Sequence, residues 1–260
     1  MRSLRPLRLA TFATVAALAV ACTDSPTDPS VVPPADLSQV LSELQPSSLN
    51  SISSRISAAP VAGLSAPVPS SCSYDSVSKS FVCPNVSVTG VSVSRSFTLY
   101  DANDNPQTAF DKTTTAAVRM KSSFTGTVTN GNSTVTIDQQ QDVKLSGLLT
   151  GVHVLNGTSL GHVNGTIGNG TTSTPVTSTI STAISGLVLP RESTGPNRFP
   201  KAGVITALAE TTLGALPTVT VNTSIAFDGT SKAAVTVTVN GVSTHCTVDL
   251  SSETAAFCTA

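Results

Sequence analysis

A period of two runs through most of this chain and limits what it can fold into more than any other feature. Val91, Val93, Phe97 and Leu99 alternate with Ser92, Ser94, Ser96 and Thr98. Val118, Met120, Phe124 and Val128 alternate with Arg119, Lys121, Thr125 and Thr127, and Val135, Ile137, Val143 and Leu145 with Thr136, Asp138, Lys144 and Ser146. Runs of this kind have one face to bury and one to wet, the signature of an antiparallel sheet. Val219, Val221, Ile225 and Phe227 continue the pattern, as do Val235, Val237 and Val239.

Between the runs stand Asn130-Gly131, Asp228-Gly229 and Asn240-Gly241, dipeptides that favour the left-handed backbone angles of type I′ hairpins. Hairpins, not crossovers, are therefore expected to join the strands. The tripeptides Asn156-Gly157-Thr158, Asn164-Gly165-Thr166 and Asn169-Gly170-Thr171 suggest short strands and turns. Arg191 to Pro200 reads as a long loop, while Thr113 to Thr129 and Ser133 to Leu149 predict strands well above average length.

Ahead of the sheet, Asp36 and Gln39 form a capping box for Leu37, Val40, Leu41 and Leu44, and Pro46 ends that helix. A weaker stripe follows through Leu49, Ile52 and Ile56. The expected fold class is mainly β: a long-stranded antiparallel curved sheet or half-barrel meander, with this short N-terminal helical segment as its plug.

The first residues carry an address. Arg2, Arg5 and Arg8 precede an apolar run from Leu9 to Val20 that is too short to span a membrane and reads as a signal peptide. Leu18-Ala19-Val20-Ala21-Cys22 resembles a bacterial lipobox, with Ala19 departing from the usual Leu, Val or Ile; ordinary signal peptidase would cut the same bond. The lipobox resemblance implies that Cys22 becomes the N-terminus and carries acyl chains such as palmitate. Thr23, in place of Asp, implies transfer to an outer membrane, facing the periplasm or the surface. The expected organisation is a signal peptide over 1–21, a lipidated flexible tether over 22–35, the helical segment and linker over 36–69, and a β domain over 70–260.

Charge narrows the function classes. With 14 basic and 15 acidic side chains, the chain offers no basic surface to neutralise phosphates, so nucleic acid is not an expected partner. Trp is absent and Tyr74 and Tyr100 are the two tyrosines, which argues against an aromatic stacking platform. Only 11% of residues are charged; Ser and Thr stand in for the missing charge, as on exported β surfaces.

Five cysteines leave an odd one, and lipidation of Cys22 removes it. Of the remaining four, local pairing of Cys72 with Cys83 and of Cys246 with Cys258 is the simplest arrangement. A bridge between the first and last strands of the domain is the alternative. No CxxC spacing supports zinc, and His153, His162 and His245 read as turn and surface imidazoles, so no metal or cofactor is expected. Asp101-Ala-Asn103-Asp104-Asn105-Pro106 is similar to the calcium linker of cadherins, and equally suits a polar hairpin tip. Ser76-Val77-Ser78-Lys79 matches the SxxK pattern of penicillin-recognising enzymes, without the helix or the SDN partner motif that the family uses.

Taken whole, the chain resembles uncharacterised Ser/Thr-rich bacterial lipoproteins that pair a lipobox with one antiparallel β domain, chiefly over Ser71 to Asp111, Leu145 to Thr158 and Phe227 to Ser252. The expected function is that of a non-enzymatic cell-envelope lipoprotein whose β domain binds a protein partner or an apolar ligand, the membrane being met through the acyl anchor. An apolar concavity lined by Val118, Met120, Ile137 and Leu145 is the expected ligand site. A structural surface module without a cavity is the first alternative, and a hydrolase with an unrecognised site is the second.

Overall fold

The computed structural model of the chain describes residues 71–88, 90–169, 172–189, 199–250 and 257–259. Cys22 and the helical segment expected over 36–69 lie outside the described residues. Within them every regular element is a strand: β1 (Ser73–Asp75), β2 (Ser80–Val82), β3 (Val86–Val88), β4 (Val91–Tyr100), β5 (Pro106–Gln107), β6 (Ala117–Asn130), β7 (Ser133–Ser146), β8 (Val154–Asn169), β9 (Thr172–Val188), β10 (Ala202–Leu213), β11 (Val219–Phe227), β12 (Lys232–Val239), β13 (Val242–Asp249) and β14 (Phe257–Thr259).

All belong to one antiparallel sheet in the order β1-β2-β4-β6-β7-β8-β9-β10-β11-β12-β13-β14, an open path that follows the chain. The short β3 and β5 pair with β4 on the side where β2 lies. The alternation thus predicted β4, β6, β7, β11 and β12, and the turn dipeptides their antiparallel connection by hairpins, while β8, β9 and β10 were not read from it. The pair expected to be long is β6 and β7, 14 residues each and joined in register from Asn130↔Ser133 to Ala117↔Ser146, and β8 and β9 are longer still, at 16 and 17 residues.

Turn chemistry is met in two different ways. At Asn240-Gly241 both residues have positive φ, 48° and 90°, between the paired Val239 and Val242, as a type I′ hairpin demands. At Asn130-Gly131 the loop sits one residue later: Asn130 pairs with Ser133, Gly131 has φ 57°, and Asn132 has none of the positive values. Gly131 therefore stands at the first central position, the type II′ arrangement.

Two of the three Asn-Gly-Thr tripeptides are not turns. Asn156 to Thr158 and Asn164 to Thr166 lie inside β8, and the third is at its end, where Gly170 and Thr171 are outside the described residues. The reason is steric. A Cβ on Gly165 would lie 2.1 Å from the carbonyl oxygen of Thr134 on β7, so glycine there answers a close backbone approach. Asn156 also anchors an irregularity in the ladder. Its Oδ1 accepts the backbone N–H of Gly186 at 2.7 Å, where the β8–β9 register shifts and Gly186 adopts φ 58°.

One face of the sheet is apolar. Leu145, Leu155, Leu187, Ile205, Val221, Ile225, Val235 and Val237 belong to a single buried cluster that also takes in Cys246 and Val248. The opposite face carries the Ser, Thr and charged positions of the alternation. A polar row nevertheless crosses the apolar face, where register sets Ser122, Gln141, Ser159, Thr182, Ala207 and Thr223 side by side. Ser122 donates to Gln141 Oε1 at 3.3 Å, and nearby Gln139 Nε2 donates to Ser159 at 3.4 Å. Thr223, 1% exposed, has no partner for its hydroxyl.

A buried hydroxyl without a partner loses its hydration and gains nothing in return. Valine has the same shape without the polar atom, and the neighbours across the ladder are Ala207 and Val237. Thr223→Val is therefore expected to stabilise the protein by about 1–2 kcal/mol. A urea titration reads this as a higher midpoint at unchanged slope; a lower midpoint would show that the hydroxyl has a partner in solution.

Candidate functional site: a groove across the hydroxyl face

A groove of about 1130 Å³ crosses the middle of the sheet, touching three consecutive residues on each of β4, β6, β7, β8, β9 and β10. Register resolves these residues into rows. Ser94, Ser123, Gln140, Leu160, Ser181 and Leu208 form one row, continued by Asn222 of β11. Ser96, Lys121, Asp142, Thr158, Ala183 and Thr206 form the second. Both rows have the parity of the hydroxyl face. The bulky apolar positions that flank the intervening row on the other face, Phe97, Met120, Phe124 and Val143 among them, do not line the groove. The groove therefore belongs to the hydroxyl face. Val118, Met120, Ile137 and Leu145 do not border it either, and Leu145 is packed in the buried cluster.

At one end the wall is the β1–β2 hairpin, through Asp75, Ser78, Ser80 and Val82. Cys72 and Cys83 are joined by a disulfide at the base of this hairpin, next to the Ser73↔Val82 pair. Cys83 N–H also donates to the Arg95 carbonyl at 3.0 Å, tying the hairpin to β4. Cys246 is disulfide-bonded as well, and the β13–β14 ladder sets Cys258 opposite it.

The Ser76 to Lys79 segment is the turn of that hairpin. Asp75 accepts the backbone N–H groups of Val77 at 3.1 Å and Ser78 at 3.2 Å, and Lys79 has φ 54°. Here the SxxK spacing serves an Asx turn, and no helix opens at it. Hydrogen bonds from the Ser78 side chain and the two backbone amides hold the Asp75 carboxyl below its ordinary range. Ser78 and Ser80 share a hydrogen bond of 2.7 Å.

Charge on the hydroxyl face is gathered around β6 and β7. Arg119 donates from Nε and Nη2 to the two carboxylate oxygens of Asp142, at 2.7 and 2.6 Å, a bidentate pair across neighbouring strands. Lys121 stands 3.9 Å from the same carboxylate. Hydrogen bonding from Arg119 holds the Asp142 carboxyl below its ordinary range, and the Arg119 guanidinium is raised by its bonds to Asp142 and then to Tyr100. Lys144 pairs with Asp104 at 2.6 Å and lies 4.8 Å from the centre of the Tyr100 ring.

Because the Asp142 pKa is depressed in the folded state, its stabilisation is complete above the unfolded carboxylate pKa of ~3.9 and is lost as pH falls through the folded value. The Arg119 and Asp142 side chains are 40% and 34% exposed, so solvent screens the pair and the effect is small, at most about 1 kcal/mol. Asp142→Asn is expected to narrow the stability difference between pH 7 and pH 3 relative to the parent chain. Urea midpoints at the two pH values check this, and an unchanged difference would refute it.

In the polar hairpin tip over Asp101 to Pro106 one carboxylate is used within the tip and the other pairs with β7. Asp101 Oδ1 accepts the N–H groups of Asn103 and Asn105 at 2.8 Å each, Asn105 Nδ2 donates to Oδ2, and Asp104 is paired with Lys144. His162 and His245 each share a hydrogen bond with a threonine on the neighbouring strand, Thr179 and Thr236. Among the described residues no group of three or more His, Cys, Asp or Glu side chains could hold a metal.

Sequence reasoning missed the groove, though Ser94 and Ser96 stood on the wet face of the alternation that predicted β4. No known protein family, no curated protein and no solved structure matches the chain. Among the described residues no helix is long and apolar enough to cross a membrane.

Proposed function

We propose that this chain is a cell-envelope lipoprotein, held at the membrane by acylated Cys22, whose β sheet works as a binding module and not as a catalyst. The groove across the hydroxyl face carries this reading. It is large enough for a ligand, it lies on the wet side of the sheet, and the SxxK segment on its rim is used as a turn. The odd cysteine count supports the anchor. Local pairing of Cys246 with Cys258 belongs to the same reading, supported by their opposed positions in the ladder. A sheet bent across its strands around the groove is the form of the curved-sheet expectation that this site favours.

Two measurements test the proposal. Mass spectrometry of the membrane fraction is expected to find Cys22 as an acylated N-terminus, and an unmodified chain confined to the soluble fraction would overturn the anchor. Hydrogen exchange of the full chain is expected to show protection in the middle of β6 to β9 on adding protein-free polysaccharide or lipid fractions of the envelope. Ser181→Arg should abolish that protection. Protection confined to other strands, or ester or peptide hydrolysis that disappears in Ser76→Ala, would overturn the binding module.

A further inference from the structure

We propose that the ligand of the groove is a linear, uncharged, β-linked glycan lying across the strands, an inference that rests on the hydroxyl face being the binding surface. Neighbouring strands are ~4.8 Å apart, so the two rows repeat at that interval along the groove. A β-linked pyranose advances its chain by nearly the same distance, and because neighbouring sugars of a β-1,4 chain are turned over by half a turn, alternate sugars would meet alternate strands in the same way. An extended peptide advances only ~3.4 Å per residue and falls out of step within two strands. From β4 to β11 the longer row spans six strand intervals, roughly 29 Å, and the other, ending on β10, spans five, room for about six sugar units.

The chemistry of the lining agrees. Ser94, Ser96, Thr158, Ser181 and Thr206 present hydroxyls that donate and accept, as sugar hydroxyls do. Gln140 and Asn222 add amides. The charges that this face presents to the groove are balanced: Asp142 is already paired with Arg119, which leaves Asp75 against Lys121, so no excess of either sign selects an ion; Arg95 pairs with Ser122 and has the parity of the other face. Leu160 and Leu208, 44% and 37% exposed, flank Ser181 in one row. Apolar side chains spaced by a hydroxyl suit a pyranose ring, which presents C–H patches between its hydroxyls. With no aromatic residue among those lining the groove, affinity accumulates from many small contacts and rises with ligand length.

The test is calorimetric titration of the full, detergent-extracted chain with cellohexaose and hexa-N-acetylchitohexaose, and with the corresponding trisaccharides. A hexasaccharide is expected to bind at least about tenfold more tightly than its trisaccharide, the ratio saturating beyond about six units. Replacing both leucines, Leu160→Ser with Leu208→Ser, is expected to weaken hexasaccharide binding about tenfold or more. Leu149→Ser, an exposed leucine outside the groove, should leave it unchanged. Far-ultraviolet spectra establish that the variants fold. Binding that does not depend on length, or that survives the double replacement, would overturn the proposal. If neither hexasaccharide binds while an envelope lipid fraction still protects β6 to β9 from exchange, the glycan is wrong and the groove stands. If nothing protects those strands, both readings fall.

Discussion

Gly165→Ala is expected to cost about 3 kcal/mol, the upper end of what an overpacked interior methyl costs, while Gly161→Ala on the same strand and the same face is neutral or mildly stabilising. A Cβ at Gly165 would sit 2.1 Å from the Thr134 carbonyl oxygen and 2.7 Å from Val135 Cα, and backbone cannot step aside as a side chain can. At Gly161 the nearest atom is Gln139 Cγ at 3.7 Å, ordinary contact distance, and the alanine reduces the freedom of the unfolded chain. For a domain of this size the first change should lower the melting temperature by roughly 6–12 °C and the second should not lower it. Equal effects would mean that β7 and β8 stand farther apart at Gly165 than these distances allow.

Reduction of the Cys72–Cys83 disulfide is expected to have the next largest effect, and to act locally. In the chain-entropy model a loop of this size contributes about 3 kcal/mol. The hairpin that it closes touches β4 through only two register pairs, Phe81↔Phe97 and Val82↔Ser96, together with the Cys83 to Arg95 hydrogen bond. Without the crosslink, β1 and β2 should detach while the centre of the sheet persists. Hydrogen exchange after reduction should show protection lost over Ser73 to Val82 and retained in β8 and β9. Simultaneous loss in both places would show that the hairpin is integral to the whole sheet. Loss of the hairpin also removes one wall of the groove, so ligand affinity should fall under reducing conditions.

Alternation such as Val118, Met120, Phe124 and Val128 located the strands because a half-buried sheet imposes it residue by residue, and Asn240-Gly241 located a turn because its backbone angles exclude most other residues. What depends on neighbouring strands was hidden. Gly157 and Gly165 look like turn residues locally, and their reason for being there is the backbone of β7. The Asp101 to Asn105 segment resembles a cation loop until Lys144, forty positions later, is seen to pair with Asp104. The groove is the strongest case. Ser94, Ser123, Gln140 and Ser181 become a row only once the pairings between their strands are fixed, and no local pattern carries that information. Cys22 and the stripe from Leu37 to Leu44 lie outside the described residues, and their reading rests on local motif alone.

Because every interior strand on the main path is added beside the one made just before it, apart from the short β3 and β5, assembly needs no distant partner. A chain made N-terminus first can lay down each strand on a template that has already been completed. Loop closure at each step spans one hairpin, which keeps the entropic barrier low despite the size of the sheet. By the same logic, a stop within β12 would remove the last rungs and leave the earlier ones in register, like a ladder built from one end.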